Sequence, residues 1–385
     1  MISPAGWRKV KLGEVLRLIN GRAYKKAEHL NDGTPVIRIQ NLNGGKKWFY
    51  SDLKLPENKY CGHGDLLFAW SASFGPYIWS GEKSIYHYHI WKIEVGPKLD
   101  KMFAYRLLEK LTQQIKDAGR GISMIHVTKS GMEAWEVMLP PLKEQKRIAA
   151  ILDQADALRR QRQAALDHLN TLGQSIFYDM FGDLIQNSMS WPISAIGDLF
   201  DLKHGFAFKS ENFLENGRYT LLTPGNFHEE GGFKDRGNKQ RYHDDPVPKE
   251  YVLHGGDLLV AMTEQAPGLL GSPIFIPETN IYLHNQRLGR VLKKTEVESS
   301  FIFEMMNSYP IRMEIQRTST GTKVKHTSPK KISSIQIGVP SISLQNQFAT
   351  IFEFLNSQKA NFQNLLEKSN TLFDSLQQRA FRGEL

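Results

Sequence analysis

The side chains in this sequence that are best suited to recognising base pairs lie in loops between short apolar runs. Reading a base edge requires exposed hydrogen-bond donors and acceptors, and arginine favours guanine whereas asparagine and glutamine favour adenine. In the first half of the chain the candidates are Arg22, Tyr24, Lys25, Lys26, Arg38, Gln40, Asn41, Trp70, Ser71 and Ser73. In the second half they are Lys209, Thr223, Asn226, Thr263, Gln265, Asn285, Gln286 and Arg287. For each residue the alternative is an ordinary loop side chain in solvent.

Two further loops are suited to holding phosphate groups. Each combines a glycine with hydroxyl and cationic side chains, which position a protein on the DNA backbone rather than read its sequence. The candidates, beside Gly121 and Gly321, are Arg120, Ser123, Thr322, Lys323 and Lys325. We expect phosphate contacts at these positions.

The histidines of the sequence do not form a convincing metal site. His87 and His89 flank Tyr88 on a predicted strand and would share one face, but no carboxylate or thiolate nearby completes a ligand set. A stacking or core role is favoured over a metal. His126 and His326 recur in an internal repeat, and a structural hydrogen bond explains that recurrence as well as chemistry does.

Motifs for catalysis are missing from the sequence. It has no Gly-x-x-x-x-Gly-Lys-Ser/Thr phosphate-binding loop. It also has no Asn-Pro-Pro or Asp-Pro-Pro motif followed by an aromatic residue, and no strand with a nuclease-like carboxylate cluster and lysine. We therefore expect a non-catalytic chain that binds neither a metal nor a cofactor of its own.

Composition points to an anionic partner. The 385 residues carry a formal charge of +9, and residues 1–140 hold 21 basic against 13 acidic side chains. Acidic and basic residues balance within 141–190 and within 341–385, so a polyanion is expected on the remaining regions. The single cysteine, Cys61, excludes an internal disulfide and is expected to be buried or idle. No signal peptide or membrane span is evident, so a cytoplasmic location without membrane contact is expected.

The elements that must position these residues occur twice. Residues 7–15 align with 191–199 without a gap, and the segment 64–69, GDLLFA, recurs as GDLLVA at 256–261. Pro140 and Gln145 correspond to Pro340 and Gln345, and from there the offset stays at 200. The repeat predicts domains at 1–140 and 185–340, and long helices at 141–184 and 341–385.

Within the domains, short apolar runs at 35–39 and 334–339 predict strands, and residues 103–116 and 301–316 predict helices. The expected fold class is α+β. In the two long helices apolar residues recur at alternating spacings of three and four, which is typical of a coiled-coil seam. The predicted seam residues are Ile148, Ile151, Ala155, Leu158, Leu169, Leu172, Ile176, Phe348, Ile351, Leu355, Phe362, Leu365, Leu372 and Leu376.

A duplicated unit that packs about a pseudo-two-fold axis makes the two helices antiparallel and separates the domains. Such a molecule suits a bipartite DNA site, because equivalent groove faces recur every 34–36 Å. Outward polar positions on the first helix, namely Arg159, Arg160 and Gln163, are the candidates for docking a partner.

Four segments resemble a known family. The boundary 139–149, LPPLKEQKRIA, closely resembles the start of the central conserved region of type I restriction-modification specificity subunits. The end of the chain, 372–385, resembles that family's carboxy-terminal signature, and the two GDLL segments look like the strand motif of its target-recognition domains. The second boundary departs from the pattern at Ser341 and Asn346, which puts identical partner contacts at the two helix starts in doubt.

The resemblance implies two target-recognition domains that each read one half of a split sequence in double-stranded DNA. It implies that the helices set the spacer length and dock two modification subunits, which use S-adenosylmethionine to methylate adenine at N6. Restriction subunits would add ATP- and Mg²⁺-dependent translocation and cleavage.

Other functions remain open from the sequence alone. One is a DNA methyltransferase or nuclease with an unrecognised catalytic motif. Another is a coiled-coil adaptor whose domains bind protein, and a third is the same DNA reader paired with fused rather than separate partners.

Overall fold

The computed structural model describes residues 6–118, 127–244, 246–265 and 268–385. The chain forms two compact units, one made of residues 1–161 with 365–385 and the other of residues 162–364. The candidate phosphate-binding residues Arg120 and Ser123, with Gly121 and His126, lie outside the described residues.

The first unit is built on two four-stranded sheets. Its strands are β1 (Arg8–Lys11), β2 (Leu16–Asn20), β3 (Thr34–Ile37), β4 (Tyr50–Ser51), β5 (Tyr60–Cys61), β6 (Leu66–Ala69), β7 (Gly75–Ile78), β8 (Ser84–Tyr86), β9 (Ile90–Val95) and β10 (Glu136–Leu139). One sheet has the order β2-β9-β6-β7 and is antiparallel, and the other has the order β4-β3-β8-β5 with a parallel β3–β8 pair. Strands β1 and β10 pair separately, and helices α1 (Ile39–Leu42), α2 (Lys101–Ala118) and α3 (Lys129–Glu133) complete the domain.

The second unit repeats this topology. Its strands are β11 (Ile193–Ala195), β12 (Phe200–His204), β13 (Tyr219–Leu221), β14 (Arg241–His243), β15 (Leu258–Ala261), β16 (Thr263–Glu264), β17 (Pro273–Phe275), β18 (Tyr282–Leu283), β19 (Leu288–Lys293), β20 (Lys325–His326) and β21 (Gln336–Gly338). The sheet β12-β19-β15-β17 matches β2-β9-β6-β7, the parallel pair β13–β18 matches β3–β8, and β11 pairs with β21 as β1 does with β10. The α+β class and the internal repeat are therefore confirmed.

The structure explains why the GDLL sequence occurs in both domains. Gly64 and Gly256 have φ angles of +84° and +85°, which glycine adopts without a steric penalty, and each begins the turn into a buried strand. Asp65 forms an ion pair with Lys92 at 3.0 Å, and Asp257 forms the corresponding pair with Arg290 at 3.0 Å. The motif is therefore a structural device that fastens β6 to β9 and β15 to β19.

The shorter predicted elements are only partly right. Strand 35–39 is observed as Thr34–Ile37, because Ile39 already begins α1, and strand 334–339 is observed as Gln336–Gly338. The helix predicted over 103–116 is observed as α2. The helix predicted over 301–316 is instead two helices, α6 (Ser299–Asn307) and α7 (Tyr309–Thr318), with Pro310 in the first turn of α7. Proline supplies no backbone N–H and clashes with the preceding turn, so it ends α6 and begins a new helix.

The two long helices are present. Helix α4 (Leu142–Phe181) has 40 residues and α9 (Ile342–Ala380) has 39, and α5 (Ile196–Leu199) and α8 (Pro329–Ser333) are short helices of the second domain. Gly182, at a φ of +71°, follows the last residue of α4. None of the described helices is both long enough and apolar enough to cross a membrane.

Within each unit the long helices run antiparallel. In the first unit Arg147, near the start of α4, donates a hydrogen bond to the Leu385 carbonyl at 2.7 Å, and Arg159 lies over the ring of Phe373. In the second unit the rings of Phe177 and Phe348 lie 5.4 Å apart, so the end of α4 packs on the start of α9. The predicted antiparallel pairing is confirmed.

The predicted seam is partly wrong. Ile148, Phe348 and Leu355 are buried, and the half-buried seam positions are Ile151, Ala155, Leu169, Ile176, Ile351, Phe362, Leu365 and Leu376. Leu158, Leu172 and Leu372, however, are 39%, 43% and 51% exposed. Gly173 and Phe373, one residue further along, are buried instead. A strict seven-residue repeat drifts by about 20° per heptad from a straight α-helix, so the buried stripe moves onto the next residue.

Two glycines allow close backbone approach at matching places. A Cβ atom on Gly21 would lie 2.3 Å from the carbonyl oxygen of His87, and one on Gly205 would lie 2.3 Å from that of Asn285. Both neighbours are backbone atoms that cannot rotate away.

We expect Gly21→Ala to lower the free energy of unfolding by about 1–3 kcal/mol, the usual cost of forcing extra atoms into a packed site. Chemical denaturation of the purified chain measures it. Gly62→Ala is the control, because a Cβ there meets nothing within 4 Å. An equal effect of both substitutions would contradict the steric explanation.

Candidate nucleic-acid interface

Three segments of the first unit meet at one edge of its antiparallel sheet β2-β9-β6-β7, and we name them the first loop cluster: residues 20–22 at the end of β2, 70–73 after β6, and 87–89 between β8 and β9. Backbone hydrogen bonds tie them together. The amide of Tyr88 donates to the carbonyl of Arg22 at 3.0 Å, and the amide of Trp70 donates to that of His89 at 3.1 Å. Gly21 makes this approach possible, so the backbone itself fixes where these side chains sit.

Aromatic rings cover the first loop cluster. Trp70 stacks on Trp91 with centroids 5.9 Å apart, and its Nε1 atom donates to the Tyr88 carbonyl at 2.9 Å. Beside them is a groove of 470 Å³, which Thr128 and Lys129 also line, and Tyr88 is 40% exposed. Rings with accessible faces next to a cation suit a base and its phosphate. The sequence analysis missed Lys129, which follows the N-cap residue Thr128 and is the first residue of α3.

Arg22 is held by an intramolecular partner. Both of its terminal nitrogens donate to the Glu28 carboxylate, at 2.7 and 3.0 Å, and the amide of Lys25 donates to the same carboxylate. The hydrogen bond from Arg22 holds the pKa of Glu28 below its ordinary value. Arg22 can therefore bind guanine bidentately only if it leaves Glu28.

Tyr24 does not present its hydroxyl to solvent. The oxygen is buried without a hydrogen-bond partner among the described residues, and burial raises the pKa of Tyr24 to about 12. Its ring lies beneath Arg22, with 5.3 Å between the guanidinium carbon and the ring centroid. Tyr24 therefore supports Arg22 rather than offering a polar contact of its own.

Two asparagines predicted on exposed loops are buried, so that prediction is wrong. Asn41 accepts a hydrogen bond from the amide of Arg38 and donates to the carbonyls of Gly45 and Lys47. Asn226, 0% exposed, accepts from the amide and hydroxyl of Thr223 and donates to Gln240. Buried polar groups keep such partners because losing them leaves a desolvated group unpaired. These amides hold matching turns in the two units and are unavailable to bases.

The remaining candidates of the first unit differ in solvent exposure and in their hydrogen-bond partners. Lys25, Lys26 and Gln40 are exposed, and Gln40 donates to the Lys47 carbonyl. Arg38 is half-buried over the ring of Phe49, and the Ser73 hydroxyl accepts from Asn43 at 2.8 Å. Ser71 is half-buried.

The second unit carries an equivalent loop cluster with other side chains. This second loop cluster comprises residues 204–206, 262–265 and 284–287, and Phe206 pairs with Asn285 as Arg22 pairs with His87. Asn285 is 6% exposed and accepts from the amide of Arg287, so its predicted exposure is wrong too. Gln286 and Arg287 are exposed, whereas the sequence analysis overlooked Phe206, an aromatic residue 39% exposed.

Other predicted residues of the second unit lie on neighbouring segments. Thr263 pairs with His326 through β16 and β20, and the ammonium group of Lys325 donates to Gln316 at 2.7 Å. The Thr223 hydroxyl lies between Asn226 and Arg236. The exposed candidates are Lys209, Gln265, Thr322 and Lys323, of which Lys209 pairs loosely with Glu211 at 3.7 Å.

The rings of His87 and His89 contact each other, in agreement with the stacking role that the sequence favours. His87 and His89 lie in the turn after β8 and not on a strand, with ring centroids 5.0 Å apart. Burial, with smaller effects from neighbouring positive charges, lowers the pKa of His87 to about 4, so its ring is neutral at pH 7. The described residues contain no group of three metal-ligating side chains. Cys61 is buried, and burial raises its pKa to about 12.

The candidate docking residues of α4 are engaged with each other. Arg159 and Arg160 both contact Asp156 at 2.6 Å, and Gln163 donates to Asp167 at 3.0 Å. Arg160 keeps 69% of its side chain exposed. Their ion pairs do not prevent a partner contact at the helix surface.

Two domains of one topology, each ending in a loop cluster of its own composition, define a tandem recognition protein. The family described as type I restriction modification DNA specificity domain matches this chain twice, over residues 4–168 and 189–368. The chain belongs to this family, as a specificity subunit with two target-recognition domains.

Similar proteins agree with this assignment. The type I restriction enzyme MjaVIII specificity subunit of Methanocaldococcus jannaschii is 25% identical, and the alignment covers 90% of this chain and 85% of that protein. The EcoBI specificity subunit of Escherichia coli is 24% identical, covering 98% and 86%. A crystal structure of an S subunit from M. genitalium has a TM-score of 0.57 at 15% identity, covering 99% of this chain and 97% of that chain.

Proposed function

We propose that this chain is the non-catalytic DNA-reading subunit of its complex and that each unit reads one half of a bipartite site in double-stranded DNA. One observation carries the proposal. The two loop clusters share a backbone arrangement, yet Arg22, Trp70 and His89 of the first stand where the second has Phe206, Met262 and Arg287. The same scaffold with different side chains is what two unlike half-sites require.

The proposal extends to partners. Helices α4 and α9 would set the spacer length and dock two modification subunits, and restriction subunits would join that assembly. S-adenosylmethionine would be used by the modification subunits to methylate adenine at N6, and ATP with Mg²⁺ by the restriction subunits for cleavage. This chain would hold none of these cofactors, and the complex would act on DNA in the cytoplasm.

Supporting this extension, the starts of both long helices are fixed to their domains in the same way. The Gln145 carboxamide accepts from the amide of Asp100 at 2.8 Å and donates to the Pro140 carbonyl at 2.8 Å. Gln345 accepts from Glu298 at 3.0 Å and donates to Pro340 at 2.9 Å. The divergence at Ser341 and Asn346 therefore leaves this clamp intact.

Co-expression with the neighbouring genes, followed by methylome sequencing, tests the proposal. We expect adenine methylation within one split, asymmetric motif that disappears when this chain is omitted. A continuous motif would contradict the two-reader proposal. Methyl transfer by the purified chain alone with S-adenosylmethionine would show that it is an enzyme, and no binding preference on random-spacer DNA libraries would favour an adaptor.

Arg287 is an exposed base-reading candidate of the second loop cluster. We expect Arg287→Ala to relax one half-site only, by about 1–3 kcal/mol if the guanidinium binds guanine bidentately. Competition binding with DNA altered in each half-site measures this. Arg8→Ala is the control, because Arg8 is an exposed arginine on β1 of the other unit, away from the loop clusters. Equal weakening of both half-sites would contradict a base contact.

A further inference from the structure

The two units differ in charge at one buried, equivalent position. The sequence FAYR at 103–106 corresponds to FIFE at 301–304, so Arg106 on α2 and Glu304 on α6 are counterparts. In the first unit Arg106 is 3% exposed and pairs with Asp153 at 2.8 Å and Asp156 at 3.1 Å, beneath the ring of Phe373. Each charge in this cluster has an oppositely charged partner.

In the second unit the corresponding charge is less fully paired. Glu304 is 4% exposed, and its Oε2 atom is buried without a hydrogen-bond partner among the described residues. The counterpart of Phe373 is Gly173, which has no side chain to cover the carboxylate, and a Cβ there would lie 3.4 Å from Oε1. Burial raises the pKa of Glu304 to about 7, with smaller opposing effects from the charge of Lys359, the counterpart of Arg159, and from a side-chain hydrogen bond with Asn307.

Glu304 lines a cavity of 510 Å³ between the end of α4 and the junction of α6 and α7. We call it the acidic cavity, because Asp179 and Asp183 also line it and none of its described lining residues is a lysine or arginine. Tyr178 and Tyr309 form part of its wall and are 55% and 76% exposed. Carboxylates beside accessible aromatic rings are the surroundings that a guanidinium prefers, since it binds carboxylates as a fork and stacks on ring faces.

We propose that the acidic cavity receives an arginine side chain from a partner protein that docks on α4. The inference rests on the proposed function in taking the co-encoded modification subunit as that partner. A nucleic acid is disfavoured because its phosphates would face three carboxylates. Arginine is favoured over a small cation because two tyrosine rings form part of the wall beside the carboxylates.

The test compares the full-length chain with Glu304→Gln, which keeps the shape and removes the charge. We expect the variant to bind the purified modification subunit at least tenfold more weakly in calorimetry or surface plasmon resonance. We expect its own Tm at pH 8 to rise, because a buried carboxylate is removed. A merely structural residue would not move affinity and stability in opposite directions. Glu278→Gln, at an exposed loop position, is the matched control and should change neither.

A second measurement does not need the partner. Millimolar arginine amide at constant ionic strength should stabilise the wild-type chain more than Glu304→Gln and so narrow the difference in Tm between them. The cavity proposal would be overturned if arginine amide left the difference in Tm between the two proteins unchanged, or if Glu304→Gln bound the modification subunit as tightly as the wild-type chain does. Either result would leave the proposed function standing. Failure of the wild-type chain to bind the modification subunit would overturn the proposed partner, and the arginine amide series would then decide on the cavity alone.

Discussion

Replacing Arg106 with alanine is expected to lower the free energy of unfolding of the first unit by about 3–5 kcal/mol, because it removes a buried cation that pairs with Asp153 and with the buried Asp156. Asp156 is 2% exposed, and Arg106 is the counter-ion that α2 supplies to it from outside its own helix. The substitution also removes the guanidinium that packs against Phe373 of α9. Three helices of the unit therefore lose a shared contact.

Hydrogen exchange resolved along the chain measures this effect, because protection should fall in the first unit and remain in the second. Arg17→Ala is the matched control. Arg17 belongs to the same unit but is 70% exposed and lies 3.8 Å from Glu94, and exposed pairs of this kind contribute about 0–1 kcal/mol. A loss below about 1 kcal/mol for Arg106→Ala would show that Arg159 and Arg160 suffice to neutralise Asp156.

The same cluster sets a pH dependence. Burial alone would raise the pKa of Asp156, but its hydrogen bond with Arg106 and the charges of Arg106 and Arg160 bring the pKa below its ordinary value. A carboxyl whose pKa is lower in the folded state stabilises the fold above the unfolded-state pKa, and this stabilisation is lost as pH falls through the folded-state pKa. In Arg106→Ala the loss should begin at a higher pH than in the wild-type chain.

The repeat made most of the fold predictable. A duplicated sequence folds into duplicated domains. The matching glycines and the two GDLL segments therefore indicated equivalent strands and turns in both domains. The pairing of the long helices was predictable, because the chain contains two apolar seams. The shift of the buried position from Leu172 to Gly173 was not predictable, because the angle between a heptad pattern and a straight helix accumulates only over several turns.

The candidate site was less predictable, because residue type does not reveal which partner a side chain meets. Asn41 and Asn226 were chosen as amides suited to adenine, but each completes a turn whose partners come from residues up to 14 positions away. Glu28 was not considered as the partner of Arg22, although it follows six residues later. The recurrence of Asn at matching turns of both units was the available signal of a structural role, since two readers of unlike half-sites need not share a reading residue.

The largest functional effect is expected from changing the length of the long helices. Both α4 and α9 begin in one compact unit and end in the other, with the divisions at 161/162 and 364/365. A seven-residue helical insertion at only one of these points should abolish recognition of the bipartite site, because the seams of the two helices would no longer match. Matched insertions at both points keep the apolar faces together and add about 10 Å, at 1.5 Å per residue.

That added length corresponds to about three base pairs, but DNA turns by about 100° over three base pairs whereas seven helical residues change the facing direction by only about 20°. The added length and the added rotation therefore favour different spacers. We expect the preferred spacer to lengthen by about one to three base pairs and the affinity for DNA to fall. Methylome sequencing of cells that carry the matched variant reads the spacer directly, and random-spacer binding reads the affinity. The control is an insertion of the same seven residues in the exposed loop after Asp52, which should leave the spacer length unchanged. An unaltered spacer in the matched helix variant would show that the long helices do not set the spacer length, and would mean that the half-sites are positioned by the partner subunits.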